Sequence, residues 1–121
     1  MEKPFEEIVG LDKLIHEPAR LAIMTALSAC SSADFLFLQQ LTGLTKGNLS
    51  SHLSKLEEAG LVQIEKRFIG KTPNTHICLT ERGRAAIELH WQRLEQLHKG
   101  AAFRRDACVA YSHQLKGTDL T

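Results

Sequence analysis

Between Thr45 and Ala59 the chain sets short hydrogen-bonding and cationic side chains at the spacing of one helix face. Gly47, Ser51, Ser54 and Glu58 fall on one side at 100° per residue, flanked by Asn48, Ser50 and Lys55, and Leu49, Leu53 and Leu56 gather on the other. Asn and Ser carry donors and acceptors on short stems, so the backbone behind them can come close to what they read. Serine is a mediocre helix former, and three on one exposed face add nothing to stability. A merely solvated face would more usually carry Glu, Lys and Gln. The edges of base pairs in a major groove ask for such a surface, and Lys46 and Lys55 suit the phosphates beside them. A second group of cations, Lys66, Arg67 and Lys71, with Thr72 after the last, could reach a flanking phosphate or minor groove. The plainer use of those charges is to blunt a sheet edge.

These side chains need elements to hold them. His16-Glu17-Pro18-Ala19-Arg20 reads as a helix start, because proline is tolerated in a first turn. That helix should run to about Ala29, with Leu21, Met24 and Leu27 facing a core, and a loop should come next over Cys30-Ser31-Ser32-Ala33. Asp34 suits the N-cap of a helix from Phe35 to about Thr42 with Phe35, Leu38 and Leu41 inward. Gly43 fits its left-handed end, and Thr45 caps the next helix, which Gly60 stops. A link this short forces a steep helix crossing, the helix-turn-helix geometry. Leu61 to Phe68 alternates as a strand, Ile69 to Asn74 has turn chemistry, and Thr75 to Leu79 returns as its partner. Thr80 and Glu81 then open a final helix carrying Ala86, Ile87, Trp91, Leu94 and Leu97 in a stripe. The fold class is α+β, mostly α: a winged helix-turn-helix with a two-stranded wing and a C-terminal dimerisation helix. The expected divisions are a lead-in over 1–10, the DNA-binding domain over 11–80, the dimerisation helix over 81–99, and a tail or frayed helix over 100–121.

The bulk numbers fit one ordinary domain: 121 residues, 43% hydrophobic and 24% charged. Net charge is only +1, but its distribution is uneven. Residues 1–44 carry three basic and six acidic side chains; residues 45–82 carry six basic and four acidic, as do residues 83–121. The positive excess falls on the serine-rich helix, the hairpin and the C-terminal third, as a DNA-facing half requires. No apolar run approaches the roughly 18 residues of a bilayer span, and the acidic N-terminal stretch lacks a signal-peptide layout, so a cytoplasmic location is expected.

Other chemistries find little support. Cys30, Cys78 and Cys108 are odd in number and far apart, which fits neither a disulfide framework nor a structural zinc site. Cys30 and Cys78 read as buried small hydrophobes. Cys108, beside Arg104 and Arg105, reads as a tail cysteine rather than a redox thiol. His90 and His98 are too far apart on one helix to chelate an ion together, so no metal or other cofactor is expected. Ser51 and His52 adjoin but point about 100° apart on a helix, a poor nucleophile–base pair. There is no phosphate loop, H-E-x-x-H or G-x-S-x-G, so no catalytic residues are assigned and an enzyme is not expected.

Five pieces in order carry a family resemblance. They are Leu14 to Met24, Leu44 to Leu53, Lys55 to Val62, the wing Gly70-Lys71-Thr72-Pro73-Asn74-Thr75, and Leu79 to Arg84. Over roughly residues 11–98 the chain resembles winged-helix regulators of the MarR/ArsR type, in a small winged helix DNA-binding domain subgroup. The resemblance implies a homodimer with two recognition helices in successive major grooves of a palindromic operator. Carried over by position, base and backbone contacts come from Thr45, Lys46, Gly47, Asn48, Ser50, Ser51, Ser54 and Lys55, and wing contacts from Arg67 and Lys71. His52 matches a position expected to orient that helix on the DNA backbone. Terminal helices form the dimer interface, here Leu11, Leu14, Ile87, Trp91, Leu94 and Leu97. Two alternatives share the fold: a protein–protein module without DNA binding, and a sensor gated by a ligand or metal.

Overall fold

The computed structural model describes the backbone of residues 12–117, with side chains for residues 12–100, Val109 and Ser112. The elements are α1 (Pro18–Ala29), β1 (Ala33–Asp34), α2 (Phe35–Thr42), α3 (Lys46–Glu58), β2 (Val62–Ile69), β3 (Thr72–Leu79) and α4 (Glu81–Gly117). The chain forms two compact units. One is Asp12–His90, which holds every element up to the first turns of α4; the other contains the rest of that helix.

Each helix begins where a side chain takes over free backbone donors. Asp34 accepts from the Phe37 N–H at 2.7 Å and Thr45 from the Asn48 N–H at 3.2 Å. At α1 the cap is Glu17, with Pro18 directly after it. Glu17 Oε2 accepts from the Arg20 N–H at 2.9 Å and lies 3.7 Å from His52 Nδ1. Partial burial pushes the Glu17 carboxyl up. The N–H groups of Arg20 and Ala19, the electrostatic influence of the neighbouring His52 ring and the Arg20 guanidinium outweigh that, and its pKa is lowered. The stabilisation is therefore present above the ordinary carboxylate pKa and is lost as pH falls through the lowered one. Glu17→Ala should cost about 1 kcal/mol near neutrality, a fall in Tm of about 4–8 °C for a domain of this size. Thermal melts in steps of pH should show the gap between the two proteins closing on acidification.

The turn between α2 and α3 depends on Gly43, whose φ of 70° is open to glycine and costly for a side chain. It closes α2 by donating its N–H to the Gln39 carbonyl at 2.9 Å. The core is built from one face of each element, with Ile23, Met24, Leu27, Leu38, Leu49, Leu56, Ile77 and Ile87 fully buried. Leu53 completes the inner stripe of α3.

Four expectations change. Ala33 leaves the expected loop and, with the capping Asp34, pairs with Ile77 and His76, giving a three-stranded antiparallel sheet in the order β1-β3-β2. A two-residue bridge of this kind has no periodicity to read. The wing turn is tighter than Ile69 to Asn74: Ile69 pairs with Thr72, leaving only Gly70 and Lys71 in the loop. Proline and asparagine favour turns, but Pro73 and Asn74 sit opposite Phe68 and Arg67 in the ladder. Leu41 is 54% exposed rather than inward, because the core-facing side of the short α2 is filled by Leu38 with Phe35 packed beside it. Cys30 and Cys78 are free and only partly buried.

The last helix runs from Glu81 to Gly117, through most of the stretch expected as a tail or frayed helix. The lead-in over 1–10, Leu11 and the side chain of Cys108 lie outside the described residues. No helix among the described residues is long and apolar enough to cross a membrane.

Candidate nucleic-acid interface

The outer face of α3 is fixed by its inner one. With Leu49, Leu53 and Leu56 committed to the core, the 3.6-residue period leaves Gly47, Asn48, Ser50, Ser51, Ser54 and Lys55 turned out, and Lys46 is open to solvent at the first position of the helix. All of these, and the capping Thr45, are exposed. His52 is the exception. Its side chain is 19% exposed, and its Nδ1 lies 3.1 Å from Arg20 Nη1. Arg20 Nε donates to the Leu14 carbonyl, at 2.6 Å. His52 is thus turned toward the N-terminus of α1, away from the polar face. It ties the polar helix to its neighbour.

Beside that face, a groove of about 690 Å³ separates α3 from the wing. Lys46, Ser50 and Ser54 line one wall, and Lys66, Asn74 and Thr75 the other. Both walls carry a cation with hydroxyl or amide groups, as contacts to an anionic backbone require, and Glu57 adds one carboxylate on the α3 wall. Lys66 belongs to this groove and Arg67 does not, because successive strand residues point to opposite faces. The adjacent wing cations therefore cannot serve one surface together. Lys71 and Thr72, both exposed, stand at the turn. The grouping of Lys66 with the helix is not legible from spacing, since it depends on the register of the hairpin.

The wing is held at its base by Thr80. Its hydroxyl donates to the Gly60 carbonyl at 2.7 Å and accepts from the Gly83 N–H at 2.9 Å, which also caps α4. Its own N–H donates to the Leu61 carbonyl at 3.1 Å. One residue thereby joins the end of α3, the start of the wing and the start of α4.

The expected dimer residues divide. Ile87 is 1% exposed and belongs to the core of its own unit, so it has no surface to offer a partner. The stripe on α4 begins one turn later than its apolar spacing implied. Leu14 is also packed against that core, partly buried. Trp91 is 44% exposed, and Leu94 and Leu97 are intermediate. His90 is 3% exposed, and its Nε2 lies 3.1 Å from His16 Nδ1. His98 is exposed and takes no part in that pair. Among the described residues, no group of three or more His, Cys, Asp or Glu converges as metal ligands would.

Comparison with known proteins points the same way. Residues 19–98 match the model of a family described as winged helix DNA-binding domain. An uncharacterized protein of Methanocaldococcus jannaschii is 34% identical over 87 residues, covering 72% of this chain and 95% of its own. A transcriptional regulator homologue from Pyrococcus horikoshii superposes with a TM-score of 0.74 at 31% identity, covering 83% of this chain and 98% of that one. A MarR-family structure from Enterococcus faecalis shares the fold, with a TM-score of 0.61 at 24% identity over 89% of this chain and 94% of that one. With its five-piece sequence pattern, its helix-turn-helix and its two-stranded wing, the chain belongs to the winged helix DNA-binding domain family, on the fold of MarR-type transcriptional regulators.

Proposed function

We propose that the protein binds double-stranded DNA sequence-specifically as a homodimer and thereby regulates transcription. The observation that carries the reading is the outer face of α3, where Asn48, Ser50, Ser51 and Ser54 are all exposed beside a groove with a lysine on each wall. In this reading α3 enters the major groove. Asn48 and the serines read base edges, and Lys46, Lys55, Lys66 and Lys71 hold the phosphates. Arg67, on the far face of the wing, reaches phosphate only on the outer side of the hairpin. Trp91, Leu94 and Leu97 supply the apolar surface for a second copy, without Ile87 and Leu14. A C2 pair of such chains presents two helices to two half-sites.

Selection of bound sequences from a random duplex pool tests this directly. The expected product is an inverted repeat with half-sites about 10 base pairs apart, centre to centre. A pool that never enriches would refute DNA reading, and enrichment of a single unrepeated site would refute the dimer. On the selected site, Lys71→Ala should weaken specific and random DNA alike and flatten the salt slope by about one unit. Anisotropy titrations at several salt concentrations measure both quantities.

A further inference from the structure

Two large apolar side chains stand at the outer end of the wing. Phe68 is 71% exposed and Ile69 65%. Exposure alone says little, because much of any protein surface is apolar. Position says more. Strand residues alternate, so Phe68 shares a face with Ile64 and Lys66, and its cross-strand partner is Pro73. Ile64, Lys66 and Pro73 line the groove against α3. Phe68 therefore extends the groove-facing side of the wing outward past Lys66, next to the turn. Lys66 precedes it on the same face, Lys71 stands at the turn beyond it, Arg67 lies on the opposite face, and all three are exposed. A protein partner covering an apolar tip would have to desolvate or neutralise these cations. A polyanion with an apolar interior satisfies both kinds of group at once.

We propose that Phe68 is an apolar wedge for the minor groove of DNA. Its ring packs between the deoxyribose walls and levers at a base step flanking the major-groove site, while Lys66 and Lys71 hold the phosphates on the rims. Wedges of this kind unstack a step and bend the duplex. Pyrimidine–purine steps yield most readily, so the wing adds a sequence preference where no hydrogen bond reads a base. The inference rests on the proposed DNA-binding function.

The test uses the full chain and the duplex recovered from the random pool, end-labelled for energy transfer. Phe68→Ala should lower affinity roughly tenfold or more, the scale of one Phe side chain returned to water. Its salt slope should stay unchanged, since no charge is removed, and the bound duplex should straighten. Phe68→Leu should restore most of both effects. Melting curves should coincide for all three proteins, because the side chain lies outside the core. If Phe68→Ala binds and bends like the parent, the wedge is wrong and the DNA reading stands. If the substitution instead dissociates a dimer in sedimentation, the tip is a protein contact and the wedge is again wrong. If the parent binds no duplex, both readings fail together.

Discussion

Gly83→Ala is expected to destabilise the protein by about 3 kcal/mol or more, at the top of the range for forcing an atom into packed structure. A Cβ at this position would overlap the Leu61 carbonyl oxygen and lie 2.8 Å from its carbon. Both are backbone atoms, so no rotamer change relieves the clash. The first turn of α4 would have to move away from the start of the wing. The same oxygen accepts the Thr80 N–H, and Thr80 caps α4 through the Gly83 N–H, so the displacement breaks the joint from both sides. Tm should fall by roughly 12 °C or more at about 4–8 °C per kcal/mol. Gly47→Ala provides the contrast. It has open space around its Cβ and should be well tolerated in the fold. An alanine at Gly83 that melts with the parent would show that α4 does not approach Leu61 so closely.

The second large effect falls on binding. Asn48→Ala and Ser51→Ala should each cost roughly 1–3 kcal/mol of discrimination between the selected site and random DNA. Neither side chain is buried, so stability should hold apart from the small helix-propensity gain of alanine. The diagnostic is the pattern across substrates. Loss of a base contact lowers affinity for the specific site and leaves random DNA nearly untouched, whereas loss of a phosphate contact lowers both. Competition titrations with the two duplexes separate these cases. Equal weakening of both would move Asn48 and Ser51 from base readout to backbone contact.

Much of the fold can be read from residue order because its punctuation is local. Asp34, Gly43, Thr45 and Thr80 each act on donors or acceptors within a few residues, and all four occupy the positions their chemistry implies. The buried stripe of α3 is equally legible, since Leu49, Leu53 and Leu56 repeat at helical spacing. The features that escape such a reading depend on distant partners. Ala33 becomes a strand residue only because Ile77 lies opposite it. Pro73 and Asn74 behave as ladder residues because Gly70 and Lys71 suffice to turn the chain. Ile87 and Trp91 share one apolar stripe in sequence, and only the core around Ile87 separates their roles.

The candidate site shows the same division. Its helical half is a one-dimensional pattern, and exposure matches it at every position except His52. The histidine sits at the edge of the polar face, where sequence offers no choice between outward and inward. Arg20 and Glu17, both more than thirty residues away, decide it. The wing half requires the register. Lys66 and Arg67 are adjacent in sequence and equal in charge, yet only Lys66 lines the groove.

Dimethyl sulfate protection on the selected duplex asks most simply where the serine-lined helix goes. The reagent methylates guanine N7, an atom displayed in the major groove. Two protected patches about 10 base pairs apart, both weakened by Ser51→Ala, are the predicted result. Uniform guanine reactivity in a complex that still forms would show that α3 stays out of the major groove.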